Sequence, residues 1–232
     1  MGSSGRVKLS ILIPAYEPDE RLLALLTDLK PHFYRLILVD DGSSLHAAPI
    51  FEQASQRVDV FLRHEQNRGK GAAIKTGLDA LEPDESVLTV DADGQHLTED
   101  ILAVAEAAAA HPETFVLGVR NFDSKVPLRS RFGNWWTRIF FFLLTRFWVK
   151  DTQTGLRVIP SSLRSRIRAL PGERYEYEMV MLADARNHPN RPIQVPIHTI
   201  YIDGNAKSHF RPLKDTGLIY HALFAHCFHH KV

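Results

Sequence analysis

Thr89-Val90-Asp91-Ala92-Asp93-Gly94-Gln95-His96 joins an apolar run to two acidic residues separated by one position. An i, i+2 spacing at the end of a strand puts both carboxylates on one face. Carboxylates that close repel each other and raise each other's pKa unless a cation lies between them. The pattern therefore predicts a Mg²⁺ or Mn²⁺ site, with oxygens from a diphosphate and from Gln95 as further ligands. A turn that carries two solvated acids is the alternative.

Around this stretch, short apolar runs alternate with helical patterns, and such alternation is typical of βαβ units. Strands are predicted over 9–14, 36–40, 58–62, 86–90 and 114–118, and helices over 19–30, 47–56, 72–81, 99–110 and 176–187. We expect an α/β fold with a mixed, mostly parallel sheet flanked by helices. Ligands of open α/β sheets bind beyond the carboxyl ends of the strands. The polar residues that follow the runs are therefore the candidate site.

The composition indicates one ordinary folded domain and argues against several functional classes. The chain has 232 residues, of which 44% are hydrophobic and 24% charged, as expected for a single globular domain. Lys and Arg total 28 against 27 Asp and Glu, so no overall field favours nucleic acid as a partner. The sequence has a single cysteine, no signal-peptide pattern and no apolar run of ~20 residues. A cytoplasmic location is expected.

Residues 124–150 differ from the rest of the chain because they are cationic and aromatic. They contain lysines and arginines but no acid, interleaved with Trp and Phe residues. Such an amphipathic segment lies either at the headgroup boundary of a membrane or in the core, with its arginines extended to solvent. Both interpretations are open from the residues alone.

Four motifs follow one another along the chain: Ile13-Pro14-Ala15-Tyr16-Glu17, Val39-Asp40-Asp41-Gly42-Ser43, Asn67-Arg68-Gly69-Lys70-Gly71 and Asp91-Ala92-Asp93-Gly94-Gln95-His96. Taken together, they closely resemble the motifs of family 2 glycosyltransferases. Four more resemble the dolichyl- and polyprenyl-phosphate sugar synthases of that family. They are Arg131-Phe132-Gly133-Asn134, Asp151-Thr152-Gln153-Thr154-Gly155-Leu156-Arg157, Tyr175-Glu176-Tyr177-Glu178 and Ser208-His209-Phe210-Arg211-Pro212. The resemblance implies a Rossmann-like GT-A domain over 1–220, including an interfacial segment at 124–150, followed by a His-rich tail at 221–232.

The resemblance also implies a site for a nucleotide-sugar donor. The implied donor residues are Pro14, Tyr16, Glu17, Asp41, Lys70, Asp91 and Arg211. Asp91 would face the sugar or ribose, and Asp93 with Gln95 would hold Mg²⁺ or Mn²⁺. Arg211, with His209 near it, would close over the diphosphate, since arginine grips phosphate oxygens with two parallel N–H bonds. From the residues alone, Gly69 and Gly71 at a helix start would leave backbone N–H groups for an anion.

In the resembling enzymes the acceptor is a polyprenyl phosphate. Arg129 and Arg131 are the candidates for its phosphate, with Arg157 a third. A phosphate monoester has a second pKa of ~6 and is largely ionised at neutral pH, so it attacks the anomeric carbon without a strong general base. We expect one in-line, inverting displacement with Asp91, Asp93 and Arg131 as catalytic residues. The lipid acceptor favours peripheral binding of 124–150 at the cytoplasmic face of a membrane.

Two other functions stay open at this point. A nucleotidyltransferase shares a nucleotide-binding α/β core and paired acids, although its Lys-rich glycine loop near the N-terminus is missing. A sugar-nucleotide or lipid-binding module without turnover is the second. Glu176 and Glu178 are expected to support the site or to be exposed acids at a helix start. The histidines of 221–232 match no zinc-site spacing and are expected to lie in an exposed tail.

Overall fold

Parallel strands alternate with helices through the first half of the chain, as the sequence predicts. The computed structural model describes residues 8–120, 128–198 and 212–229, without the side chains of 128–136, 212–215 and 229. The strands are β1 (Leu9–Ala15), β2 (Leu36–Asp40), β3 (Val60–Arg63), β4 (Ser86–Thr89), β5 (Val116–Arg120), β6 (Arg157–Ile159) and β7 (Ile193–Ile197). The helices are α1 (Arg21–Leu29), α2 (Ala48–Ser55), α3 (Lys70–Asp79), α4 (Thr98–Ala110), α5 (Leu128–Thr145), α6 (Ser161–Arg168), α7 (Tyr175–Ala185) and α8 (Pro212–His229).

The strands form one mixed sheet of seven strands in the order β3-β2-β1-β4-β6-β5-β7. β6 runs antiparallel to both of its neighbours, and the other pairings are parallel. The predicted α/β class with a mostly parallel sheet is therefore confirmed. The order changes direction at β1, because β2 and β3 lie on one side of it and β4 on the other. Such a reversal opens a crevice at the carboxyl ends of the strands, where ligands of these folds bind.

Helices cover both faces of the sheet, which explains why its central strands are apolar at nearly every position. On one face α1, α2 and α4 pack through residues such as Leu26, Phe51 and Ile101. On the other face α3, α6 and α7 pack through residues such as Ile74 and Ile167. The polar residues that can face a ligand are left at the ends of the strands.

Several element boundaries differ from the predicted ones by two residues, and two of these shifts have a clear local cause. Helix α3 begins at Lys70 rather than at residue 72, because Gly69 has a φ of 109° and turns the chain directly into the helix. Strand β5 begins at Val116 rather than at residue 114, since Thr114 N–H is bonded to the carbonyl of His111 in a turn. The first shift matters for the site, because it puts Lys70 at the first turn of α3.

Residues 128–145 of the cationic, aromatic segment form α5, which packs against α8. Phe141 is fully buried, and the ring centroid of Phe140 lies 4.3 Å from that of Tyr220 on α8. Leu143 and Trp148 remain exposed. The helix therefore contributes to the core through Phe141 and leaves Leu143 exposed. Contact of this segment with a membrane stays a prediction. Among the described residues, no helix has the length and apolar character needed to cross a membrane.

The tail predicted for 221–232 is wrong as far as residue 229. Helix α8 runs through the predicted boundary at residue 220 and continues to His229. Its residues Leu223, His226 and Cys227 are buried, where α8 packs against α7. The apolar residues that lie between the histidines form the buried face of this helix. The prediction of a tail considered the histidines and overlooked this apolar pattern.

Candidate active site

Asp91 and Asp93 lie in the loop that follows β4, next to the point where the strand order reverses. The ladder between β1 and β4 extends to a bond from Val90 N–H to the carbonyl of Leu12, at 3.0 Å. Beyond it, Asp93 Oδ1 accepts a hydrogen bond from Gln95 N–H at 2.9 Å, and Gly94 takes a φ of 73°. This side-chain turn fixes the Asp93 carboxylate beyond the end of the strand.

Lys70 connects Asp91 to a second acid that comes from α7. Its Nζ lies 2.6 Å from Asp91 Oδ1 and 2.9 Å from Glu178 Oε2. His96 Nε2 lies 3.8 Å from the other oxygen of Asp91. The predicted donor residues Lys70 and Asp91 are thus in contact, and the resulting cluster joins α3, the loop after β4 and α7.

These charges shift one another's pKa. Burial alone would lower the pKa of Lys70, but the carboxylates of Asp91 and Glu178 outweigh it and hold that pKa above its usual value. Burial would likewise raise the pKa of Asp91, but Lys70 and His96 hold it well below its usual range. The pKa of Asp93 is raised, first because the surrounding loop partly desolvates this otherwise exposed carboxylate and then by the charge of Asp91. Lys70 therefore neutralises Asp91 and leaves Asp93 with uncompensated charge.

The residues present fit a divalent cation at Asp93. Within the described part of the chain this exposed carboxylate makes no ion pair, and its neighbour Asp91 already has Lys70. Oxygen donors of this kind are the ligands that Mg²⁺ and Mn²⁺ take. No group of three His, Cys, Asp or Glu side chains among the described residues is arranged to hold a metal ion. Further oxygens, such as those of a diphosphate, would have to complete the coordination.

The turns after β1 and β2 are bonded to each other and form one edge of the crevice. Glu17 Oε1 accepts from Ser44 N–H at 2.6 Å, and Glu17 N–H donates to Ser43 Oγ at 2.9 Å. Glu17 has a φ of 50°, in the left-handed region that is uncommon for a non-glycine residue. Pro14 is buried at the end of β1, and Tyr16 is partly exposed beyond it. The predicted donor residues of these two turns are thus brought together.

Asp41 has a different immediate role from the one predicted. Its carboxylate is buried and accepts hydrogen bonds from the 64–69 segment: from His64 Nδ1 at 2.8 Å, Asn67 Nδ2 at 3.1 Å, Arg68 N–H at 2.9 Å and Gly69 N–H at 2.8 Å. A carboxylate has about four acceptor positions, so a nucleotide would have to displace one of these donors. The expectation that the Gly69 N–H is left for an anion is wrong for the same reason.

Arg157 does not fit its predicted contact with an acceptor phosphate. It is fully buried at the start of β6. Its guanidinium donates to the carbonyls of Thr154 at 2.9 Å and Thr152 at 3.4 Å, and also to that of Glu178. These bonds satisfy the buried donors. Arg157 therefore holds the 152–157 segment to α7 and is not available to an acceptor phosphate.

Three predicted site residues have side chains outside the described ones. Arg129 and Arg131 lie on the first turns of α5, whose side chains are outside the described ones, and Arg211 lies outside the described residues altogether. Their roles stay predictions. Of the two alternatives for Glu178, support of the site is the one that fits, because Glu178 is a buried partner of Lys70 and not an exposed acid. Its helix is apolar on nearly all sides, and that pattern could have indicated the burial.

The chain is similar in sequence to enzymes that transfer sugars. The sequence model described as Glycosyl transferase family 2 matches residues 10–165. The UDP-N-acetylglucosamine–dolichyl-phosphate N-acetylglucosaminyltransferase of Methanococcus voltae is 31% identical over 215 residues, which cover 83% of this chain and 86% of that protein. The dolichyl-phosphate beta-glucosyltransferase of Dictyostelium discoideum is 30% identical over 226 residues, which cover 86% of this chain and 68% of that protein.

Solved structures support the fold independently of the motifs. Glucosyl-3-phosphoglycerate synthase from Mycobacterium tuberculosis, in complex with Mn²⁺, UDP-glucose and phosphoglyceric acid, superimposes with a TM-score of 0.73. The match covers 97% of this chain and 80% of that one, at 18% sequence identity. The Rossmann-like GT-A fold expected from the sequence is confirmed.

Proposed function

Because the chain belongs to glycosyltransferase family 2, we propose that it transfers a sugar from a UDP- or GDP-sugar to a polyprenyl phosphate and inverts the anomeric configuration. The observation that carries this proposal is the cluster of Asp91, Asp93 and Lys70 at the crevice between β1 and β4. The names of the relatives from Methanococcus voltae and Dictyostelium discoideum support dolichyl-phosphate-like acceptors.

The donor diphosphate would lie against the loop after β4. In this proposal Asp93, with Gln95, holds Mg²⁺ or Mn²⁺, which would neutralise charge on the departing nucleoside diphosphate. Asp91 faces the donor sugar or ribose, and Lys70 fixes the direction of its carboxylate. Pro14, Tyr16, Glu17 and the turn at Ser43 line the nucleoside side of the crevice. Arg211 remains the candidate that closes over the diphosphate from the C-terminal side.

The acceptor phosphate would attack the anomeric carbon from the side opposite the diphosphate. Because it is already ionised near neutral pH, no side chain has to remove a proton from it. Arg129 and Arg131 at the start of α5 are the proposed phosphate ligands. Glu178, in turn, is engaged by Lys70, so we assign it to maintaining that charge pair rather than to general-base catalysis.

Exposed apolar side chains on α5 and α8 support a peripheral membrane surface for the lipid chain. Leu143 is 59% exposed, Phe224 54% and Phe228 51%, and the rings of Phe224 and Phe228 are stacked at 4.3 Å. The guanidinium of Arg138 lies 4.8 Å from the ring centroid of Trp148, which follows α5. Aromatic and aliphatic groups beside cations suit an anionic headgroup region. The cytoplasmic face remains the location predicted from the sequence.

The proposed reaction is tested by its products. We expect release of a nucleoside diphosphate from UDP-glucose, UDP-N-acetylglucosamine or GDP-mannose that depends on added polyprenyl phosphate. Formation of the glycosylated lipid, followed by thin-layer chromatography, checks that release reflects transfer. Release of inorganic diphosphate when the protein is given a nucleoside triphosphate and a sugar phosphate would instead identify a nucleotidyltransferase, and binding without any release would identify a binding module.

Binding of the preferred nucleoside diphosphate is expected to require a divalent cation. Without one, Asp93 repels the diphosphate, and Lys70 is already engaged by two carboxylates. Titration calorimetry with Mn²⁺ and with excess EDTA should show the affinity fall by at least about tenfold, equivalent to ~1.4 kcal/mol, when the metal is removed. Equal affinity under both conditions would contradict a metal-bridged diphosphate.

Membrane binding is expected to depend on the exposed side chains of α5 and α8. The combined variant Leu143→Ser, Phe224→Ser and Phe228→Ser should sediment about tenfold less with phosphatidylglycerol vesicles, because insertion scales with apolar area. Its turnover with a short, soluble polyprenyl phosphate should be retained. Leu45→Ser is the control, since Leu45 is 91% exposed and lies in the turn before α2. Equal sedimentation of all the variants would contradict the proposed surface.

A further inference from the structure

Gly155 lies opposite Asp91 because of the antiparallel insertion of β6 beside β4. Thr89 is paired with Arg157 in this ladder, and Val87 with Ile159. Continuing the same register by two residues brings Gly155 opposite Asp91. The Thr89 hydroxyl donates to the carbonyl of Gly155 at 2.7 Å. The hydroxyl of Thr89, the last residue of β4, thus holds Gly155 in place beside Asp91, which follows the strand.

The Asp91 carboxylate rests directly on Gly155. A Cβ atom added at residue 155 would lie 2.3 Å from Asp91 Oδ2 and 2.5 Å from Oδ1. Both distances are far inside van der Waals contact, so no residue with a side chain fits without moving the carboxylate. Lys70 contacts the same carboxylate through Oδ1, at 2.6 Å. Asp91 is therefore held between a cation and a glycine.

The segment that carries Gly155 is fixed by buried polar contacts. The guanidinium of Arg157 holds the carbonyls of Thr152 and Thr154. At the N-terminal end of the segment, Asp151 is fully buried. Its Oδ2 lies 2.6 Å from Arg120 Nε, and its Oδ1 accepts a hydrogen bond from Gln153 N–H at 3.0 Å. Moving this backbone would break several buried hydrogen bonds, whereas moving the Asp91 side chain requires rotation about its own bonds. A side chain at residue 155 would thus displace Asp91 rather than the segment.

We propose that Gly155, held by the Thr89 hydroxyl, is a positioning residue that sets the direction of the Asp91 carboxylate toward the donor sugar. This inference rests on the proposed function, in which Asp91 faces the sugar or ribose and Asp93 serves the metal. It therefore predicts a selective defect. Recognition of the sugar-bearing donor should suffer, whereas binding of the nucleoside diphosphate with its metal should not.

Gly155→Ala is expected to lower kcat for sugar transfer by about 10- to 100-fold, because a misplacement near 1 Å in a reacting site has effects of that size. Calorimetry should show weaker binding of the intact sugar nucleotide, with Kd for the nucleoside diphosphate and Mn²⁺ changed less than about twofold. Gly77→Ala is the matched control, since its added Cβ would lie 2.1 Å from Leu12 Cδ1, in the core. Comparison of the melting temperatures of the two variants shows whether a fall in kcat comes from strain in the fold or from displacement of Asp91.

Thr89 provides a second test that does not introduce a clash. Thr89→Val removes the hydroxyl that holds Gly155 and keeps the shape, so kcat should fall about tenfold, the equivalent of ~1.4 kcal/mol for one lost hydrogen bond. Thr89→Ser keeps the hydroxyl and should recover most of the turnover. Equal kcat for the Val and Ser variants, or a Gly155→Ala enzyme with unchanged kcat and sugar-nucleotide affinity, would overturn the proposal. The proposal would also be overturned if Gly155→Ala lost as much affinity for the nucleoside diphosphate as for the sugar nucleotide.

Failure of the proposed function gives a different result. The wild-type protein would then release no nucleoside diphosphate with any pair of sugar nucleotide and polyprenyl phosphate. The binding comparison between sugar nucleotide and nucleoside diphosphate in Gly155→Ala does not depend on turnover. It still decides whether residue 155 positions Asp91 toward the sugar.

Discussion

Asp93→Asn is expected to lower kcat by about 10²- to 10³-fold, the effect usual for removing a group that stabilises charge in a transition state. The substitution removes the carboxylate that we assign to the metal. It leaves the local turn intact, because the side-chain carbonyl of asparagine can still accept from Gln95 N–H, as Asp93 Oδ1 does at 2.9 Å. The side chain is exposed, so the melting temperature should change by no more than a few degrees.

Nucleoside diphosphate release at saturating donor, measured beside a thermal melt, checks this expectation. Asp84→Asn is the matched control, since Asp84 is an exposed aspartate that precedes β4 at the opposite end of the strand. Higher Mn²⁺ concentration should restore part of the turnover of Asp93→Asn and have no effect on that of the control. Near-normal turnover of the Asp93→Asn enzyme would contradict the assignment of the metal to this residue.

The sheet and the loop that carries Asp93 were predictable because local sequence determines both. Runs of β-branched and leucine residues form the strands, and an Asp-x-Asp-Gly sequence forms a turn at a strand end. Alternation with helices then required parallel pairing. Since the carboxyl ends of parallel strands meet at one edge, the positions of Glu17 and Asp91 on a shared crevice followed without any knowledge of contacts.

The partners of the charged groups were not predictable in this way. Whether Asp41 faces a ligand or the 64–69 segment depends on a loop 23 or more residues away in sequence, and no periodicity encodes that contact. The antiparallel β6 is only three residues long, too short for a pattern, yet it brings Gly155 and Arg157 to the site. Such pairings arise from tertiary packing, which local propensity does not determine.

Lys70→Met is expected to lower both stability and turnover, because it leaves two carboxylates facing each other without a cation. Lys70 Nζ lies within 2.9 Å of an oxygen of both Asp91 and Glu178, and Glu178 is only 7% exposed. Removing one member of a buried ion pair costs about 3–5 kcal/mol. Lys70 keeps some contact with solvent, so a loss near 3 kcal/mol in the free energy of unfolding is expected, together with a fall in kcat/KM of at least about 100-fold.

A second substitution separates the two effects of Lys70→Met. The double variant Lys70→Met, Glu178→Gln removes one of the stranded charges, so most of the stability measured by urea unfolding should return. Turnover should stay low, since Asp91 still lacks the cation that fixes its direction toward the donor. Lys75→Met is the control on the same helix, because Lys75 packs over the ring of Tyr177 at 4.8 Å and contacts neither Asp91 nor Glu178.

If Lys70→Met behaved like Lys75→Met in both stability and kcat/KM, the Lys70 cluster would have no part in organising the site. If the double variant recovered turnover together with stability, Lys70 would serve the fold alone, and the charge pair with Asp91 would not direct the donor.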